Sequence, residues 1–106
     1  MKTIITSKGN NLKADFDPRF GRAGWFCVYD RETHDANFIE NSFKYTNGGA
    51  GTKSSEMAAE LGAQQIISGD FGPKAKGMLE KFNIQMIILD EIGMSIEEII
   101  QKIEKN

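Results

Sequence analysis

The pattern of apolar residues changes near residue 47, and this change limits the folds that the chain can adopt. Before it, apolar residues occur in short runs typical of strands, at 3–6, 25–29 and 38–43. The polar segment "DRETH" (30–34) joins the last two runs, which predicts a β-hairpin. After residue 47, helical and strand patterns alternate, which favours parallel strands joined by helical crossovers.

The second half of the chain carries clear boundary signals. A helix over 52–62 is predicted, with Thr52 as its N-cap and Gly62 as its stop. A buried strand over 63–68 follows. A second helix over 72–82 places Pro73 at the first helical position, where the missing N–H costs nothing.

The remaining elements extend the same alternation. In the second helix four apolar side chains have helical spacing and are expected to face the sheet: Ala75, Met78, Leu79 and Phe82. Gly77 is expected to allow close packing there. The apolar run 84–90 is typical of a strand covered on both faces.

The last helix begins at a capping box formed by Ser95 and Glu98, with Met94 and Ile99 at the staple positions. The resulting order is βββαβαβα, an α/β fold with a mixed sheet and helices packed on it.

Length and composition limit the class of protein. A chain of 106 residues is enough for a single domain, 1–106. Thirteen basic against fifteen acidic residues give a net charge of −2, so we expect no nucleic-acid partner. The N-terminal apolar run is too short for a signal peptide, and no segment is long enough to span a membrane. We therefore expect a cytoplasmic protein without a membrane partner.

The glycine-rich stretch "NGGAGTKSSE" (47–56) leads into the first helix. Gly48, Gly49 and Gly51 would let a ligand approach the backbone, with Thr52 and Lys53 at the helix start. The sequence does not favour a nucleotide P-loop, because Thr52 separates the last glycine from the lysine. A flexible connector without a ligand and an anion-binding loop both remain open.

A second glycine-containing loop, "SGDFGPKAKG" (68–77), joins a strand to a helix. Ligands of open α/β sheets bind beyond the carboxyl ends of strands. If strand 64–68 neighbours the first strand, Gly69 and Gly72 lie at the same edge as 47–52. The alternative is that both glycines serve only turn and cap geometry.

Cys27 and His34 are the chain's only soft metal ligands. In a hairpin with its turn centred on 31–32, Cys27 lies opposite Ala36 and His34 opposite Tyr29. The two ligands would then be about 6–8 Å apart on one face. The alternative is a buried thiol beside an exposed turn histidine. Neither a nuclease-like carboxylate cluster nor a Ser-His-Asp arrangement is readable.

The segment "DPRFGRAGWF" (17–26) precedes the second strand. Asp17-Pro18 favours an extended or turning backbone. Arg19 and Arg22 are three residues apart across a turn, so both guanidinium groups can face one side and contact an anion. A structural turn with solvated arginines is the alternative reading.

These segments resemble the dinitrogenase iron–molybdenum cofactor biosynthesis family, both in "DPRFGRAGWF" and in "GGAGTKSSEMAAELGAQQIISGDFGPKAKGMLEKFNIQMI" (48–87). The resemblance implies a ribonuclease H-like fold with a mixed five-stranded sheet and no nuclease activity. Some relatives carry iron–sulfur–molybdenum cluster precursors or form a domain of cluster-building enzymes. The family's arginine motif maps to 19–22 and its glycine loop to Gly48, Gly49 and Gly51.

The first hypothesis is therefore a small non-enzymatic binding protein that transiently holds an iron–sulfur or iron–molybdenum cluster and has cluster-assembly proteins as partners. This chain has no histidine after His34, so arginines and backbone amides would contact the cluster's sulfides. The alternatives are a protein-interaction module without its own cofactor and an enzyme acting on phosphorylated small molecules.

Overall fold

A five-stranded mixed sheet forms the centre of the computed structural model, which describes residues 1–105. The strands lie in the order β3-β2-β1-β4-β5. Both β1–β2 and β2–β3 pair antiparallel, whereas β1–β4 and β4–β5 pair parallel. The predicted order βββαβαβα is confirmed. The strands are β1 Lys2–Ser7, β2 Trp25–Asp30, β3 Ala36–Glu40, β4 Gln65–Ser68 and β5 Gln85–Ile88.

Three helices cover the two faces of this sheet: α1 Ala50–Glu60, α2 Pro73–Lys81 and α3 Ile96–Glu104. Side chains alternate between the faces, as the period of a strand requires. Ile4 and Ile66 pack in the cluster that contains α1 and α2 residues. Ile5 and Ile67 pack in the cluster that contains α3 residues. The sheet is therefore buried on both faces at its centre.

The first helix begins earlier than predicted. It starts at Ala50, and its N-cap is Gly49, which has a φ of 70°. Thr52 is therefore a residue of the first turn and not the cap, so that prediction is wrong. Glycine adopts this left-handed conformation without the Cβ penalty of other residues. Gly62, with a φ of 81°, follows the helix end as predicted.

The second helix confirms most of its predicted pattern. Pro73 occupies the first helical position, and Ala75 and Leu79 are buried against the sheet. Phe82, expected to face the sheet, is the C-cap residue and is 40 % exposed. A Cβ on Gly77 would meet no atom within 4 Å in the described part of the chain, so this glycine does not serve close packing.

Two strand predictions are wrong in part. The third strand ends at Glu40, and residues 41–46 form turns in which the Asn41 side chain accepts a hydrogen bond from Phe43 N. The apolar run 84–90 does pack on both faces of the sheet, with Ile84 and Met86 in the cluster of α1 and α2 and Ile87 and Leu89 in the cluster of α3, but the cover is incomplete because Ile88, at the end of the edge strand β5, is 56 % exposed.

The start of the last helix matches its prediction. Ser95 Oγ accepts a hydrogen bond from Glu98 N at 3.1 Å, and Ser95 N donates to Glu98 Oε1 at 2.9 Å. Met94 and Ile99 lie in the same apolar cluster, as a hydrophobic staple requires.

Within residues 1–105, no helix is both long enough and apolar enough to cross a membrane.

Candidate functional site

Three loops meet at the carboxyl ends of the central parallel strands and line an open cavity of about 440 Å³, here called the anion cavity. It is lined by residues 19–22, 49–52 and 70–75. The loops meet because β1 and β4 are parallel neighbours, as the sequence interpretation required. The arginine segment and both glycine-containing loops therefore belong to one surface.

Small residues allow these loops to approach closely. A Cβ on Gly21 would lie 3.0 Å from Gly51 N and 3.1 Å from Gly51 Cα. A Cβ on Gly51 would lie 3.3 Å from the Ala75 Cβ. Larger side chains at these positions would separate the arginine segment from α1 and α1 from α2. Gly21, Gly51 and Ala75 thus bring the N-termini of both helices to one cavity.

Gly69 joins the arginine segment to the β4–α2 loop and does not line the cavity. Its N–H donates to Pro18 O at 3.1 Å, and Phe20 N donates to Asp70 O, also at 3.1 Å. A Cβ on Gly69 would lie 2.7 Å from the Pro18 Cβ and 2.9 Å from Pro18 O. This contact requires glycine, so Gly69 has a structural role in shaping the cavity.

The two helix N-termini supply the backbone donors of the cavity. Neither N-cap, Gly49 nor Gly72, has a side chain that could accept from the first turn. Within the described residues, no protein acceptor pairs with the N–H groups of Ala50, Gly51, Thr52, Lys74 and Ala75. Unpaired N–H groups and the positive ends of two helix dipoles favour an anion here.

Arg19 lies at the rim and is oriented by a buried carboxylate. Its Nε and Nη2 donate to Asp17 Oδ1 at 3.1 Å and Oδ2 at 3.0 Å. Asp17 is 1 % exposed, whereas the Arg19 side chain is 64 % exposed. The hydrogen bond and charge of Asp17 raise the pKa of Arg19. The pair fixes the guanidinium and leaves Nη1 outside the ion pair.

Arg22 connects the cavity to the β3–α1 loop. Its Nη1 donates to Lys44 O at 2.9 Å and to Thr46 O at 2.8 Å. Carbonyl groups do not neutralise the guanidinium charge. Arg22 therefore lines the cavity as a cation while it also holds the preceding loop in place.

Lys53 and Gly48 lie outside the anion cavity, although both were predicted ligand residues. The Lys53 Nζ lies 5.8 Å from the centroid of the Phe43 ring, and its side chain lines a different depression together with Glu56 and Glu60. Gly48, with a φ of 73°, forms part of the turn before α1. Lys74 lines the cavity instead. The sequence signal for Lys74 was its position directly after Pro73 at a helix start.

Asn41 is a buried structural residue of the site that the sequence interpretation missed. Its Nδ2 donates to Gly21 O at 3.1 Å and to Ala23 O at 3.0 Å. Ser54 Oγ, on α1, also donates to Gly21 O, at 3.3 Å. These bonds fix the arginine segment against the start of α1. The only sequence signal is a polar residue inside the apolar run 38–43.

Cys27 and His34 have different surroundings from those expected. The predicted hairpin exists, but its register differs: Cys27 pairs with Phe38, and Tyr29 pairs with Ala36. His34 lies in the turn with a φ of 65°, because the turn is longer than predicted.

The Cys27 side chain is buried, whereas the His34 side chain is exposed at the surface. Burial raises the pKa of the Cys27 thiol to about 12. His34 Nδ1 lies 2.9 Å from Tyr29 Oη and 3.2 Å from Glu104 Oε2 at the surface. Among residues 1–105, no group of three or more His, Cys, Asp or Glu side chains is arranged to hold a metal ion.

The site therefore combines backbone N–H groups with cationic side chains. Arg19, Arg22 and Lys74 contribute positive charge, and Asp70 is the one carboxylate that the structure describes in the lining. Asp70 Oδ1 accepts a hydrogen bond from Gly72 N at 3.2 Å, which closes the turn before α2. Such an arrangement can bind an anion through its outer oxygen or sulfur atoms.

Comparison with known proteins gives the same family as the motifs. The family model described as "Dinitrogenase iron-molybdenum cofactor" matches residues 1–106. The apo form of the orange protein from Desulfovibrio gigas is 31 % identical, with a TM-score of 0.89 over 96 % of this chain and 85 % of that one.

Two further relatives are more distant. A putative NifB protein from Thermotoga is 23 % identical, with a TM-score of 0.83 over 99 % of this chain and 88 % of that one, and it supports the fold. An uncharacterized protein of Methanocaldococcus jannaschii is 29 % identical over 81 % of this chain and 72 % of its own length.

Proposed function

The chain belongs to the dinitrogenase iron–molybdenum cofactor family, and from this premise we propose that it is a small non-enzymatic carrier of an anionic metal–sulfide cluster precursor. The anion cavity is the proposed binding site. The proposal keeps the cytoplasmic location expected from the sequence, with cluster-assembly proteins as partners. The family match and the similarity to the apo form of the orange protein support a small cluster-related binding protein.

The observation that carries the proposal is the convergence of two helix N-termini and two arginines on one cavity. Five N–H groups that have no protein acceptor among residues 1–105 line this cavity together with the side chains of Arg19 and Arg22. Guanidinium groups and helix N-termini both bind anions with several acceptor atoms. An anionic cluster that presents sulfides in several directions matches this distribution of donors.

The lining also indicates how such a cargo would be held. It contains neither cysteine nor histidine, and the chain's one thiol is buried in the core with a raised pKa. The protein would therefore not ligate the metals of the cluster. The cargo would arrive with its coordination complete and be held by N–H···S hydrogen bonds and charge. This mode of binding allows the cluster to leave intact, as a carrier requires.

The test uses tetrathiomolybdate, with and without ferrous iron, added anaerobically and followed by gel filtration. The parent protein should retain the visible charge-transfer absorption. Arg19→Ala combined with Arg22→Ala should lose it, whereas Lys53→Ala, which removes a cation outside the cavity, should retain it. Thermal unfolding of each variant checks that loss of absorption is not loss of the fold. Equal retention by all three proteins, or by none, would reject the proposal.

A further inference from the structure

A second cavity, of about 500 Å³, lies beside the anion cavity and shares two arginines with it. Its lining includes four cationic side chains, Lys8, Arg19, Arg22 and Lys44, together with Tyr45. We call it the basic cavity. The chain as a whole has a net charge of −2, so this surface concentrates positive charge that composition does not reveal.

Little negative charge offsets these cations within the lining. Among the described residues of the lining, Asp17 is the one carboxylate, and it is buried and already bonded to Arg19 through both oxygens. Lys44 Nζ pairs with Glu40 Oε2 at 3.2 Å, with the Lys44 side chain 21 % exposed and that of Glu40 59 % exposed. An ion pair open to solvent on its carboxylate side contributes little to stability, so an external carboxylate can replace Glu40 at Lys44 at small cost.

Tyr45 makes this surface differ from a simple anion site. Its side chain is 86 % exposed, and the Lys44 Nζ lies 5.4 Å from the centroid of its ring. An exposed tyrosine next to cations is typical of a protein–protein contact, where aromatic and arginine side chains contribute most to affinity. A small inorganic anion would leave this ring uncovered, whereas a peptide segment can cover the ring and pair with the cations.

The basic cavity is also linked to the anion cavity through Arg22. Arg22 lines both, and its Nη1 holds the carbonyl groups of Lys44 and Thr46. The loop that carries Lys44 and Tyr45 is therefore fixed by an arginine of the anion cavity. A segment bound over Tyr45 would lie directly beside the proposed cargo.

We propose that the basic cavity docks an acidic segment of a partner protein, with an apolar side chain of that segment against Tyr45. The role of this docking in cluster transfer rests on the proposed function. The docking itself does not rest on the proposed function, because peptide binding is measured on the cargo-free protein. The net charge of −2 does not support nucleic-acid binding, and the exposed Tyr45 beside the cations favours a short acidic peptide.

The experiment measures fluorescence anisotropy of a short labelled peptide rich in glutamate with interspersed leucines. Its control peptide has glutamine in place of every glutamate. The glutamate peptide should bind cargo-free protein, with a Kd that rises with salt. Lys44→Glu and Tyr45→Ala should each raise this Kd at least about fivefold. Lys81→Glu, at the far end of α2, reverses an exposed charge outside both cavities and should leave the Kd unchanged.

Several results would overturn the inference. Equal binding of the two peptides, or equal loss of affinity in Lys44→Glu and Lys81→Glu, would remove the basic cavity as the docking site. Tighter binding of an RNA oligonucleotide, or of inorganic phosphate in place of the peptide, would assign the surface to another ligand. Peptide binding together with failure to retain thiomolybdate would leave the docking intact and reject the carrier.

Discussion

The buried Asp17 carboxylate holds the exposed Arg19 guanidinium through two hydrogen bonds, from Nε at 3.1 Å and from Nη2 at 3.0 Å. Asp17 Oδ1 also accepts from Arg19 N at 3.0 Å, so one side chain fixes both the backbone and the guanidinium. Thr6 Oγ1 donates to Asp17 O and ties this turn to β1. The buried Asp17 carboxylate thus fixes the orientation of Arg19 at the anion cavity.

Replacing this carboxylate should weaken both the fold and the site. Asp17→Asn removes the charge partner of Arg19 and weakens three hydrogen bonds, which we expect to lower the free energy of unfolding by about 1–3 kcal/mol. Urea denaturation measures the change. Asp15→Asn alters an exposed carboxylate two residues away and should change stability little. Equal effects of the two substitutions would show that the Asp17–Arg19 pair has no special role.

The close contact between Gly69 and Pro18 makes a paired glycine experiment possible. Gly69→Ala would place a Cβ 2.7 Å from the Pro18 Cβ, so the loops must separate, at a cost of about 1–3 kcal/mol. Gly77→Ala, in the middle of α2, should instead stabilise the protein by about 0.5–1 kcal/mol. Thermal unfolding of both variants tests the assignment. A neutral Gly69→Ala would contradict the contact that shapes the cavity.

The elements predicted well from sequence were those with local chemical signals. The Ser95–Glu98 capping box, Pro73 at the start of α2 and the alternation after residue 47 each depend on neighbouring residues alone. The apolar run of β5 could not reveal an edge strand, because the same run of residues would occur whether or not another strand paired with β5 on its outer side. Edge position depends on the order of strands in the sheet.

The predicted ligand residues differ from the lining of the anion cavity where the prediction depended on the exact start of a helix. With Thr52 as N-cap, Lys53 would be the first residue of α1 and adjoin the anion cavity. With Gly49 as N-cap, Lys53 follows one turn later and contacts Phe43. At this earlier start Gly51 packs against Gly21. The prediction missed it because a single sequence does not show contacts between distant segments. Asn41 was missed for the same reason.

Asn41 offers a test of how the arginine segment is fixed. Asn41→Ala removes two donors to Gly21 O and Ala23 O and the acceptor for Phe43 N. Because Ala23 O loses a buried partner, we expect the free energy of unfolding to fall by about 1–3 kcal/mol. Asn37→Ala, at an exposed position of β3, is the matched control. A loss no larger than that of the control would refute this role.

The buried thiol predicts a dependence of stability on alkaline pH. Burial raises the pKa of Cys27 from 9.0 to about 12. The unfolded chain therefore releases this proton at a lower pH than the folded protein does. The contribution of the thiol to stability is complete below pH 9 and is lost as the pH rises toward about 12.

Denaturation of the parent and of Cys27→Ala over this pH range isolates the effect. The free energy of unfolding of the parent should fall more steeply above pH 9 than that of the variant. The difference between the two proteins removes the contribution of other groups, such as Tyr29, whose pKa is also raised by burial. Parallel curves would show that the thiol is not buried in the folded state.

The most direct measurement of the central claim is the amide NMR spectrum of the protein before and after anaerobic addition of tetrathiomolybdate with ferrous iron. The account predicts that the largest shifts occur at the N–H groups of Ala50, Gly51, Thr52, Lys74 and Ala75, with little change around Cys27 and His34. Shifts centred on the hairpin, or none at the two helix N-termini, would contradict it.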